Sequence, residues 1–168
     1  TWRENGAGVY GTSDWVSFRA YVMNGFNGAK FSSGGVRGGR QKGGKAKATS
    51  MAFTGRLDIT PTPGVFFGAS VYSGDSGQGE VAVDDIEYGV RTTIFDLHGQ
   101  AQVRGFDLRG VFARAQLGDA AQLNTKLEKS GTSGIAERMQ GSYIQVGYDV
   151  LSQSTSAGDV ALTPYLRY

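Results

Sequence analysis

Asp96 and His98 carry the side chains best suited to acid–base chemistry, because they stand two positions apart and would project from one face of an extended strand. An aspartate that orients a histidine is part of a hydrolytic triad, and a serine on an adjacent strand would complete it. The chain contains no G-x-S-x-G motif, no P-loop and no zinc-ligand spacing. We therefore interpret the pair as part of a polar wall, and predict that the protein is not an enzyme and uses no metal or cofactor.

Other charged and amide side chains share this two-residue spacing. We predict that they line a water-filled lumen together with the pair: Arg19, Arg56, Asp58, Asp96, His98, Gln100, Gln102, Arg109, Gln145, Asp149 and Arg167. Charged side chains along a pore set its ion selectivity, so the arginines could form a basic ladder that guides anions. In the alternative interpretation they pair with acids such as Asp58, Asp96 and Asp149. The two interpretations are compatible with each other.

The intervening positions of the same stretches are apolar. In residues 142–150, for example, the even positions include Ile144, Val146 and Val150, whereas the odd positions are small, aromatic or polar. This period predicts strands with one apolar and one polar face. We expect the strand charges to keep to the polar face, because a charge facing lipid near the membrane midplane costs about 2–4 kcal/mol.

Eight strands are predicted from this pattern, over residues 2–11, 15–25, 49–59, 65–73, 92–103, 108–117, 139–151 and 160–168. Short turns at 12–14, 60–64, 104–107 and 152–158 alternate with long connections at about 26–48, 74–91 and 118–138. The 27 glycines and 3 prolines are typical of a β-rich chain with many turns. Short turns at one end and long loops at the other are typical of an outer-membrane barrel.

The three long connections differ in charge. The first is basic and lacks acids, with Lys30, Arg37, Arg40, Lys42, Lys45 and Lys47, whereas the second carries five acids, Asp75, Glu80, Asp84, Asp85 and Glu87. The third begins with a helix-capping pattern at Asp119, followed by Leu123 and Leu127 at helical spacing, which predicts a short helix. The basic connection either constricts the lumen and collects anions, or neutralises lipopolysaccharide phosphates or the acidic connection.

The predicted fold is all-β, a transmembrane antiparallel up-and-down β-barrel that forms one domain over residues 1–168. The competing interpretation is a soluble β-sandwich or lipocalin-like barrel whose core is the apolar face. The loop pattern places both chain ends on the long-loop side, whereas a complete bacterial barrel normally keeps both in the periplasm. We therefore expect an internal section of a larger barrel. Residues 160–168 resemble a C-terminal assembly signal, which would oppose this view, but the loop parity favours an ordinary lipid-facing strand there.

Composition and charge argue against several other classes of protein. A net charge of +2 and the absence of known motifs argue against a nucleic-acid partner. No cysteine is present, so disulfides and thiolate metal sites are excluded. No apolar run approaches the roughly 18 residues of a membrane-spanning helix. The membrane interpretation instead implies outer-membrane lipid and lipopolysaccharide as partners.

Four segments, residues 93–98, 105–114, 143–151 and 164–168, resemble Gram-negative outer-membrane porins, and among them porins similar to the phosphate-selective type. The resemblance implies a large water-filled barrel, often a homotrimer, that passes small solutes and sometimes favours anions. It rests on strand patterns and supplies no residue-by-residue match to anion-binding side chains.

The function expected from these features is passive diffusion of small solutes, with modest anion preference, through a porin of the bacterial outer membrane. The alternative is a barrel that anchors or surrounds a partner, or presents its loops at the cell surface. A third hypothesis, a barrel enzyme that uses His98, requires a serine placed beside the histidine.

Overall fold

A computed structural model of the protein describes residues 3–153 and 160–168. Its elements follow one another as β1 (Gly6–Thr12), β2 (Val16–Asn24), β3 (Met51–Thr62), β4 (Val65–Asp75), β5 (Ala82–Val83), β6 (Ile86–Glu87), β7 (Arg91–Val103), β8 (Phe106–Leu117), α1 (Ala120–Lys126), β9 (Arg138–Tyr148) and β10 (Tyr165–Arg167). Short 3-10 turns lie at Gly28–Lys30, Val36–Gly39 and Gly131–Ser133. Among the described residues, no helix is both long and apolar enough to cross a membrane.

Eight of the strands form one antiparallel sheet in the order β1-β2-β3-β4-β7-β8-β9-β10, and β5 and β6 form a separate small hairpin. The predicted all-β, up-and-down arrangement is thereby confirmed. β1 and β10 are the two edges and do not pair with each other in the described part of the chain. The sheet is therefore open, and the predicted closure into a barrel is not present within these residues.

The short connections lie at one end of the sheet. Arg104 and Gly105, both with positive φ (50° and 86°), join β7 to β8, as tight hairpin turns require. Pro63 and Gly64 join β3 to β4, and β3 continues through Pro61 because the ladder shifts register between Ile59 and Thr62. A proline is tolerated at such a bulge because no ladder hydrogen bond is needed from it. The predicted turn at 152–158 lies mostly outside the described residues.

Three local features differ from the predictions. The acidic connection contains the β5–β6 hairpin, which its sequence pattern did not indicate. The predicted last strand, residues 160–168, is a ladder only at Tyr165–Arg167, although Tyr168 also exchanges two backbone hydrogen bonds with Ile144. The predicted helix is confirmed as α1, with Asp119 at its N-cap position. The Asp119 carboxylate makes no capping hydrogen bond and instead accepts one from the Val90 backbone N–H.

The buried apolar core lies where the long connections meet the sheet. The connections and α1 contribute Phe26, Phe31, Val81, Val90, Ala120, Leu123 and Ile135, and the strands contribute Ala52, Tyr72 and Leu117. The register places these three strand residues on the same side of the sheet as His98. The long connections therefore fold over this side at its upper end, which we define as the end of the long connections.

Candidate functional site

Strand register assigns the predicted lumen residues to a common face, which we call the polar face. Ser17, Asp58, Gly68 and His98 are successive cross-strand partners, and so are Gln100, Arg109, Gln145 and Arg167. Arg19, Arg56, Asp96 and Gln102 have the same parity. Asp149 lies just beyond β9 and accepts hydrogen bonds from the backbone N–H groups of Leu151 and Leu162. It therefore organises the chain after β9 rather than joining the row.

The arginines of the polar face have different partners. Arg56 Nε donates to Asp58 at 2.6 Å, and Arg109 donates through two nitrogens to Asp107, an acid that sequence reasoning did not name. Arg167 donates to Gln145 at 3.0 Å and lies over the Tyr143 ring. Arg19 has no acidic partner among the described residues. Pairing with acids thus holds for Arg56 and Arg109, whereas a basic ladder that guides anions stays a prediction.

His98 connects three strands through a group of polar side chains that we call the His98 cluster: Arg56 and Asp58 of β3, Ser70 of β4, and Asp96 and His98 of β7. His98 Nε2 lies 2.7 Å from Asp58 Oδ1, and Nδ1 lies 2.7 Å from Asp96 Oδ1. The imidazole is only 10% exposed. Carboxylate oxygens accept, so both nitrogens donate when the ring carries two protons. The cluster therefore ties neighbouring strands together with charge-assisted hydrogen bonds.

A serine does lie on the adjacent strand, but it does not complete a triad. The Ser70 hydroxyl donates to Asp96, and the imidazole nitrogen that would accept a nucleophile's proton faces Asp58 instead. A serine nucleophile needs a hydrogen bond to the histidine, not to the carboxylate behind it. Within the described residues, no group of three acidic or histidine side chains is arranged to hold a metal ion.

The opposite side of the sheet, which we call the apolar face, is built from register partners of Leu57 and Leu97. Its large side chains are exposed: Val9, Phe18, Val22, Met51, Phe53, Phe67, Val71, Phe95, Val103, Phe106, Leu108, Phe112, Ile144 and Val146. Phe18 is 45% exposed and Ile144 65% exposed. From Met51 to Ile59 this surface extends about 26 Å along β3, at about 3.3 Å per residue.

The expected confinement of charge to the polar face is wrong at the upper end of the sheet. Arg91, Arg114 and Arg138 have the parity of the apolar face. Arg114 lies opposite Phe95, and Arg91 pairs with Asp75 at 3.3 Å. By register, Arg114 is level with Phe95, Val71 and Gly55, and Gly55 lies between Phe53 and Leu57 of the apolar surface. The apolar face therefore carries charge within its upper half.

The basic and acidic connections pack against each other. Lys47 donates to Glu80, which also accepts from Asn27 Nδ2 at 2.7 Å, and these hydrogen bonds hold the pKa of Glu80 below its ordinary value. Buried Gln78 fixes the same junction by donating to the carbonyls of Gly25, Phe26 and Ser50. The other cations of the basic connection, Lys30, Arg37, Arg40, Lys42 and Lys45, have no acidic partner in the described residues.

Comparison with known proteins identifies a relative but no family. A protein of Aquifex aeolicus (strain VF5), named only "Uncharacterized protein", is 36% identical over 160 residues, which cover 90% of this chain and 35% of that protein. The chain thus spans about a third of the length of this curated relative. No family model matches the chain. No solved structure matches it either.

Proposed function

We propose that this sheet is a section of an outer-membrane porin, which passes small solutes by diffusion along its polar face with a modest preference for anions. The observation that carries the proposal is the relation between side-chain chemistry and exposure. Large apolar side chains such as Phe53 (46%) and Leu97 (48%) are exposed, whereas His98 (10%) and Asp58 (14%) are sheltered. Soluble proteins seldom expose a continuous apolar surface of this extent.

Lipid contact gives this arrangement a physical reason. Hydrocarbon accepts apolar side chains without cost, and a barrel strand needs only alternate residues for it. The length of the apolar surface along β3 is of the same order as the apolar band, about 25 Å tall, of outer-membrane barrels. Trp15, Phe106 and Tyr148 lie at the short-turn end, and the last two rings are 4.8 Å apart. Aromatic rings favour such an interfacial position.

The two open edges support a barrel larger than eight strands. A membrane-inserted sheet cannot leave the backbone N–H and C=O groups of β1 and β10 unpaired in hydrocarbon, so further strands must close it. The longer curated relative has room for such strands outside the matched region. A barrel with many more strands encloses an aqueous channel. In this arrangement the polar face lines the water-filled channel.

Charge along the polar face accounts for the proposed anion preference. Arg19, Arg56, Arg109 and Arg167 outnumber the carboxylates of Asp58, Asp96 and Asp107 on the same face. The excess is small, and pairing of Arg56 and Arg109 reduces the field of each. We therefore expect weak rather than strict selectivity.

Planar-bilayer recording of the intact native protein tests this function. We expect stable ohmic steps with a reversal potential biased toward anions. Replacing Arg19, Arg56 and Arg109 by glutamine should shift that potential toward cations. The matched control replaces Arg91, Arg114 and Arg138, which removes the same charge from the other face and should leave the potential nearly unchanged. Equal shifts in both variants would contradict the assignment of the polar face to the channel.

A second candidate function is a scaffold barrel, and the loop core supports it. Phe26, Phe31 and Leu123 belong to connections that pack over the upper end of the polar face, and each is at most 3% exposed. Connections held this firmly would block a channel if they reached across it. A correctly folded protein that stays silent in bilayers would favour the scaffold over the porin.

A further inference from the structure

Two clefts adjoin each other beneath the basic connection, at the upper end of the polar face. The first, of about 300 Å³, lies between this connection and the sheet, and we call it the apolar cleft. The second, of about 370 Å³, lies within the connection, and we call it the basic cleft. Gly34, Gly35 and Arg37 line both clefts, so the two clefts are adjacent at these residues. Each is within the size range of small-molecule sites.

Most of the wall of the apolar cleft is small or apolar, and Arg114 and Gln140, which have the parity of the opposite face, also line it. Ile94, Ala113, Ala115, Met139 and Gly141 line it from three neighbouring strands, and their register places them on the polar face. The small residues leave the space open, and a Cβ at Gly141 would meet no heavy atom within 4 Å. At the edge of the apolar cleft, Gly35 (φ +97°) lies close to the sheet, and a Cβ there would be 3.2 Å from Met139 Sδ.

The basic cleft has the opposite chemistry. Arg37, Arg40 and Lys42 line it together with Ser32 and glycine backbone, and no acid lines it. Arg40 Nε donates to the Arg37 carbonyl, while none of the three cations pairs with an acid among the described residues. The Ser32 oxygen accepts from the Gly34 N–H, which leaves its hydroxyl hydrogen available to a ligand. Three like charges without a counter-ion favour an anion between them.

We propose that the apolar cleft, together with Arg37, binds an organic monocarboxylate with an apolar body, such as an aromatic carboxylate. The ring would occupy the apolar cleft, and its carboxylate would lie at Arg37, which lines both clefts. This inference rests on the proposed function, because it names the class of solute that pauses on the polar face. A small inorganic anion would gain the cations but leave the apolar cleft empty, so it would bind more weakly.

Fluorine NMR titration of para-fluorobenzoate into the intact native protein, in detergent micelles, tests the site. The neutral para-fluorobenzamide tests the need for charge, and inorganic phosphate serves as competitor. We expect Arg37→Gln to weaken para-fluorobenzoate binding about tenfold and the exposed-cation control Lys30→Gln to weaken it less than about twofold. Phosphate should displace the ligand only at much higher concentration.

Filling the apolar cleft gives an independent test. Gly141→Leu places a side chain in the open space and should abolish para-fluorobenzoate binding, whereas Ser142→Leu, on the opposite face at the next position, should not. The proposal would be overturned if para-fluorobenzamide bound as tightly as para-fluorobenzoate. It would also be overturned if both Arg37→Gln and Gly141→Leu retained para-fluorobenzoate binding. Binding in micelles does not require conduction. A protein that binds para-fluorobenzoate but does not conduct in bilayers would therefore refute only the porin function. A protein that conducts but does not bind para-fluorobenzoate would refute only the proposed site.

Discussion

The two faces of the sheet differ in the hydrogen bonding and the exposure of their side chains. On the polar face, Asp58, Asp96 and His98 bond one another and are sheltered. On the apolar face, Phe18 and Ile144 contact little of the protein and remain exposed. In a soluble protein the exposed apolar side would be the unstable one. The difference teaches that this face needs an apolar environment that the described residues do not supply, and the proposed membrane would supply it.

The two faces should differ most in how well they tolerate a charge, and substitution by arginine on each face has the largest expected effect. Phe18→Arg places a guanidinium on the apolar face, and it should cost about 2–4 kcal/mol of unfolding free energy in lipid, decreasing toward the interface. The adjacent Ser17→Arg enters the polar face opposite Asp58 and should cost much less. Reversible denaturation of both variants in vesicles measures the difference. Equal costs in the two variants would contradict the assignment of the apolar face to lipid.

On the polar face, the contribution of the His98 cluster to the free energy of unfolding can be measured. His98→Ala leaves the Asp58 and Asp96 carboxylates without their shared donor and should cost about 1–3 kcal/mol, the range for buried groups that lose a partner. Adding Asp96→Asn should recover part of this loss, because it removes one of the two charges. Denaturant unfolding of the single and double variants gives the coupling energy. A loss under about 0.5 kcal/mol for His98→Ala would show that the cluster is not structural.

The junction of the basic and acidic connections has the smallest expected effect. Because the pKa of Glu80 lies below its ordinary 4.5, its pairing with Lys47 stabilises the fold above that pH and is lost as the pH falls through the folded-state pKa. Glu80→Gln should therefore cost up to about 1 kcal/mol near neutral pH, as an exposed pair does.

Unfolding measurements on wild type and Glu80→Gln at about pH 7 and about pH 3 check this pH dependence. The difference between the two proteins should be smaller at the lower pH. A matched variant, Glu87→Gln, removes an acid of the same connection that has no ion-pair partner in the described part of the chain, and should show no such difference. A pH-independent difference for Glu80→Gln would assign its effect to packing.

Much of the fold could be predicted because its signals are local. Alternation within each strand indicated the faces of Arg19, Leu57 and His98, and the turn residues Gly64 and Gly105 marked two hairpins. The charges on the apolar face and the ion-pair partners were harder to predict. Arg114 has the apolar parity of its strand, and only the register shows that Phe95 and Val71 of that face lie beside it. Asp107 as the partner of Arg109 depended on side-chain geometry.

The sequence by itself determined which residues share a side of a strand, since parity is a property of consecutive residues. Tertiary structure alone decided what covers each side. Asp58 meets His98 across 40 positions of chain, and Gln78 reaches Phe26 across 52. Such pairings, and the packing of the long connections over the polar face, depend on register and loop closure, which no local pattern encodes.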